Sequence, residues 1–109
     1  MNEMFQISYS PEALDDLRET YLYIAYELKS PGNAKGLINR IQEYISSLDL
    51  FPEGHPEVPW EPWKSMHMHF LPVDNYIVFF LVDKDQLLVE IVRVLYAGMD
   101  IENYIKDNL

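Results

Sequence analysis

The sequence predicts an α+β domain of two layers: a helical hairpin packed on a small antiparallel β-sheet, in the order β-α-α-β-β-β-α. Three observations predict it. Apolar residues recur at 3/4 spacing over residues 14–28 and again over 34–48. From Met66 onward they change to the continuous and alternating runs of strands. The helical segments precede most of the strands, which argues for separated layers rather than repeated β-α-β units.

The elements follow in order. Phe5, Ile7 and Tyr9 alternate with polar neighbours and read as a first, half-buried strand. Ser10-Pro11-Glu12 then offers an N-cap, a proline at the first helical position and an acid at the positive helix end, so a helix begins there. Leu14, Leu17, Tyr21, Ile24 and Leu28 make its apolar stripe over residues 11–29. Ser30-Pro31 repeats the start signal, and Ala34, Leu37, Ile38, Ile41, Ile45 and Leu48 carry a second helix to residue 50. Pro52, Pro56, Pro59 and Pro62 remove backbone donors, so residues 51–65 form a stiff loop, with Trp60 and Trp63 as anchors or as stacking platforms for a ligand. Strands are expected over 66–71, 76–82 and 87–96, with Asp83-Lys84-Asp85-Gln86 as a polar hairpin. The all-apolar stretch 76–82 is the sheet centre, covered on both faces or presenting one to a partner. Period-two alternation puts Glu90 and Arg93 on opposite faces. Asp100 caps a terminal helix over 101–108. With the hairpin on one face, the other face of the sheet is expected to be open.

Composition narrows the function. The 109 residues form one domain, 1–109, and 49% hydrophobic with 14% aromatic residues is ample for a core. Without cysteine there is neither a disulfide framework nor a thiolate zinc site, which suits a reducing, cytoplasmic setting. The longest apolar run is far too short to cross a bilayer, and Met1-Asn2-Glu3 offers no basic leader. Eighteen acidic against eight basic residues give −10, which repels phosphate backbones, so a nucleic-acid role has to rest on a local site.

Common enzyme motifs are missing: there is no phosphate-binding glycine loop, no His-Glu-x-x-His and no Gly-x-Ser-x-Gly. His67 and His69, two apart on an expected strand, would face one side, where they contact solvent, transfer protons, touch nucleic acid or hold a metal. Arg93 in an apolar strand needs either an ion-pair partner or an anion. Asp100 reads as a cap first and a functional acid second.

Four segments in order, Tyr9-Ser-Pro-Glu-Ala-Leu-Asp-Asp-Leu, Tyr23-Ile-Ala, Leu71-Pro-Val-Asp-Asn-Tyr-Ile-Val-Phe-Phe-Leu-Val and Arg93-Val-Leu-Tyr-Ala-Gly-Met-Asp, resemble the RelE/ParE superfamily of bacterial type II toxins over residues 4–104. The resemblance implies a cytoplasmic toxin, of the plasmid-stabilisation type, paired with a cognate antitoxin that wraps it. It implies no cofactor, metal or membrane, and leaves a homo-oligomer open. In RelE-like members the implied activity is ribosome-dependent mRNA cleavage and hence translation inhibition. On that reading His69, Arg93 and Tyr96 are the catalytic candidates, as proton carrier, phosphate stabiliser and substrate-orienting ring, with His67, Lys64 and Asp100 as substrate contacts. Two positions depart from the ribonuclease pattern: Met99 stands where an arginine often precedes the aspartate, and Ile77 where a basic residue can lie beside the tyrosine. The alternative is a catalytically weak or inactive toxin fold that works by protein binding, inhibiting DNA gyrase as ParE-like members do, or engaging an antitoxin as partner or decoy.

Overall fold

Ser10 does two jobs at the first strand-to-helix junction. Its hydroxyl oxygen accepts the Ala13 N–H at 3.0 Å, capping the helix that Pro11 opens, and donates to the Val92 carbonyl at 2.8 Å. The computed structural model describes residues 4–108; Met1-Asn2-Glu3, the segment read for a leader, lies outside them. The elements are β1 (Gln6–Tyr9), α1 (Pro11–Leu22), α2 (Pro31–Ser46), β2 (His69–Val73), β3 (Tyr76–Asp83), β4 (Leu88–Tyr96) and α3 (Ile101–Asp107). The sheet runs β1-β4-β3-β2. Fold class and element order are those the sequence predicts, with one refinement: β1 joins β4 in parallel, so the sheet is mixed. A parallel pair needs a long crossover, and the chain between β1 and β4 provides one.

The helical hairpin packs as expected on one face, where Ala13 and Leu17 of α1 and Leu37, Ile41 and Ile45 of α2 meet Val78, Phe80, Val89 and Ile91 of the sheet. The stripe of the first helix is rotated from the predicted one. Ala13, Asp16 and Leu17 are buried, whereas Leu14 and Leu28 are more than half exposed. The helix also stops being regular at Leu22. Tyr23–Glu27 is a wider π-type turn closed by Leu28 N–H to Tyr23 O at 3.1 Å, and Lys29 follows in the left-handed region at φ 52°. One extra residue per turn breaks the 3/4 spacing, which is why Leu28 leaves the core.

The opposite face is not open, and this corrects the sequence expectation. The proline-rich loop and α3 lie across it, packing Val58, Trp63, Met68, Ile101 and Ile105 on Phe79 and Leu95. Trp63 is buried with its ring 4.7 Å from Phe79, and Trp60 stacks on Trp63 at 5.2 Å, so both tryptophans are anchors. The apolar strand β3 is thus covered on both sides by its own chain. The loop also protects the β2 edge: Val58 N–H reaches Met68 O at 2.7 Å and Phe70 N–H reaches Pro56 O at 3.0 Å.

A second correction concerns β4. Phe80 pairs with Ile91 but Phe79 with Arg93, leaving Val92 as the extra residue of a β-bulge. Simple alternation fails there: Ile91 and Val94 pack with the hairpin side, Val92 and Leu95 with the loop side. Glu90 and Arg93, paired with Leu81 and Phe79, come to one face rather than opposite ones. The carbonyl of the bulged Val92 is the one that Ser10 satisfies, so cap and bulge are one device.

Candidate functional site

β1 pairs only with residues 88–91, so β4 runs on past it to Tyr96 with no strand at its outer side. A groove of about 810 Å³ opens there, between the end of α1, the π-type turn, the start of α2, the β2–β3 turn and α3. Arg93 crosses its floor. The guanidinium donates from Nε to Asp16 Oδ2 at 2.7 Å and from Nη2 to Asp16 Oδ1 at 2.8 Å, a bidentate pair, while the Val94 N–H also donates to Asp16 Oδ2 at 2.9 Å. The Asp16 carboxylate therefore stands in for the missing strand at β4. Hydrogen bonding to Asp16 raises the Arg93 pKa above its ordinary value, with burial working against it and Tyr104 adding to it. Arg93 also lies 5.5 Å from the Tyr104 ring centroid, in reach of a cation–π contact.

Tyrosines form the walls. Tyr76 and Tyr96 meet edge to face at 5.7 Å, and Tyr23 and Tyr104 also face the groove. Burial raises the Tyr76 pKa, opposed by a hydrogen bond with Thr20 and reinforced by the Tyr96 and Tyr23 phenols. Tyr96 lies over Gly98. A Cβ at Gly98 would come within 2.3 Å of the Tyr96 ring, so any larger residue there displaces that ring. The rim carries a second ion pair, Arg40 Nη2 to Asp74 Oδ2 at 2.8 Å. Both arginines of the groove are thereby occupied by carboxylates.

The predicted site residues divide among four places. Arg93 and Tyr96 share the groove, together with Met99. His69 is elsewhere: its ring is buried, stacked 5.4 Å from Phe80, with Nδ1 2.8 Å from the His55 carbonyl oxygen. It sits on β2, two strands from β4, which is about 10 Å across the sheet before any displacement along it. His67 does not share a face with His69, which corrects the paired reading. It precedes the strand, at φ 57° in a turn where Met68 N–H bonds to Trp63 O, and its exposed ring meets Glu57 Oε1 at 3.1 Å. Lys64 is exposed on the loop turn, and Asp100 caps α3 by accepting from Asn103 N and Nδ2. Ile77 packs within the second core.

Sequence reasoning missed Asp16. It belongs among the polar faces of a helix by type, yet it follows Ala13 by three positions and precedes Thr20 by four, on the same side as the core. Seeking a partner for the arginine of an apolar strand was the signal that points to it.

The chain matches the family model for the ParE toxin of the type II toxin-antitoxin system, parDE, over residues 7–101. Among solved structures it is similar to the chromosomal ParDE toxin-antitoxin system of P. aeruginosa, with a TM-score of 0.71 and 19% identity over 88% of this chain and 99% of that one. It is also similar to the RelBE2 toxin-antitoxin complex of Mycobacterium tuberculosis, with a TM-score of 0.62 and 15% identity over 87% and 94% of the two chains. A mutant of the E. coli toxin RelE in the free state gives a TM-score of 0.56 at 12% identity, over 97% and 99%. No curated protein sequence matches the chain.

Proposed function

From the premise that this chain belongs to the ParE toxin family of type II toxin-antitoxin systems, we propose that it arrests growth by binding a protein target, DNA gyrase in the first instance, rather than by cutting mRNA. In this reading a cognate antitoxin occupies the groove and holds the toxin inactive. The observation that carries the proposal is the dispersal of the nucleolytic candidates. Cleavage of RNA through its 2′-OH needs a proton acceptor and a free cation within reach of one phosphate. Here the His69 ring is committed to a buried carbonyl contact and Arg93 to Asp16, on strands separated by β3. Met99 and Ile77 add no charge where the ribonuclease pattern has cations, and the net charge of −10 disfavours an RNA backbone.

Protein contact asks for different parts, and the groove has them: the exposed rings of Tyr23 and Tyr96 on a scaffold fixed by a part-buried ion pair and a bulge. The test is direct. Purified toxin is added to gyrase supercoiling reactions and, separately, to translating ribosomes with primer extension on the mRNA. Inhibited supercoiling with intact mRNA is expected; ribosome-dependent cleavage of the mRNA overturns the proposal.

A further inference from the structure

We propose that the groove is a receptor for a cationic side chain, and that the antitoxin segment filling it is net basic, with an arginine or lysine inserted among Tyr23, Tyr76 and Tyr96. The antitoxin half of this rests on the toxin reading above; the cation preference of the groove does not.

Three independent features carry it. The first is the aromatic lining: Tyr76 and Tyr96 stand edge to face at 5.7 Å with Tyr23 beside them, and ring faces attract ammonium and guanidinium groups. The second is the local charge. Arg93 is held bidentately by Asp16, and Arg40 is matched at the exposed rim by Asp74, so the two cations of the groove are already balanced by carboxylates. Glu19, by contrast, is exposed on the groove wall, and its carboxylate has no hydrogen-bond or ion-pair partner among the described residues. The residual charge is therefore negative. The third is the whole molecule: at −10, long-range attraction draws a basic segment and repels an acidic one. An acidic peptide would have to displace Asp16 to reach Arg93, and at the rim it would meet an arginine whose charge Asp74 already offsets.

The experiment has two arms. In the first, the full chain is titrated with N-acetyl-arginine amide and with N-acetyl-glutamate amide while the tyrosine ring and Met99 methyl NMR signals are followed. The arginine amide is expected to move Tyr23, Tyr76, Tyr96 and Met99 and the glutamate amide to leave them. Glu19→Lys and Tyr96→Leu should each weaken that response, by about tenfold for the charge reversal. Equal responses to both amides, shifts scattered over other acidic surface, or indifference to both substitutions overturn the proposal. In the second arm, affinity for the protein encoded beside this gene is measured with wild type and Glu19→Lys. Weaker binding by the variant supports the proposal. A complex of unchanged or increased affinity removes the basic-segment claim while leaving the toxin-antitoxin reading intact. No complex, with the arginine amide still seated, sinks the antitoxin reading and keeps the cation site.

Discussion

The two ends of the sheet solve the same problem in opposite ways. At the β2 end the chain covers itself: the proline-rich loop takes up the strand edge, Trp63 and Met68 fill one face, and His69 is stacked on Phe80 beside the other core. At the β4 end β1 stops at Tyr9, one carboxylate replaces the absent strand, and Tyr23 and Tyr96 remain half or more exposed. That difference is the ground on which the function is proposed at the second end. At the first end the strand edge and the aromatic rings are taken up by the chain itself; the second keeps aromatic surface and charge that its own chain does not consume.

The largest expected effect is that of Asp16→Ala at the open end. It leaves the Arg93 guanidinium and the Val94 N–H without their acceptor in a largely buried position, at a cost of about 3–5 kcal/mol in urea unfolding. The double change Asp16→Leu with Arg93→Met removes both charges together and should recover most of that loss. If Asp16→Ala proves neutral, the carboxylate is no substitute for a strand. Next in size is His69→Phe at the closed end. It gives up the contact with the His55 carbonyl and should lower stability by about 1–2 kcal/mol, with growth arrest per folded molecule unchanged.

The fold was legible because its signals are local. Ser10-Pro11 and Ser30-Pro31 mark both helix starts, and the stripe from Ala34 to Leu48 is buried as the spacing requires. What was not legible depends on events that shift a period by one residue. The π-type turn at Tyr23–Glu27 moves Leu28 out of the core, and the Val92 bulge reverses the sides assigned beyond it. His67 and His69 fail to pair for a related reason, since the turn through Met66 and His67 delays the strand to His69. The site was half legible: Arg93 and Tyr96 were found by type and position, whereas Asp16 was hidden by its being one of two adjacent acids on a helix. The covering of the second face came from a loop, whose path no periodicity encodes.

Smaller effects sharpen the open end. Gly98→Ala should leave unfolding free energy within about 0.5 kcal/mol of wild type, because the ring it displaces is exposed, yet weaken antitoxin binding by surface plasmon resonance. Smallest of all is an alkaline effect. Burial raises the pKa of Tyr76 and of Tyr9 above 10, so the stabilisation they contribute is full below the unfolded value and is lost as pH rises through the folded one. Thermal melts from about pH 9 to pH 12 should therefore decline, and less steeply for Tyr76→Phe.

Growth arrest by two variants expressed without antitoxin at matched levels of folded protein, Tyr96→Ala at the open end and His69→Phe at the closed one, separates the roles of the two ends. Loss of arrest with Tyr96→Ala and full arrest with His69→Phe is the predicted result. Arrest that survives Tyr96→Ala and disappears with His69→Phe would contradict it.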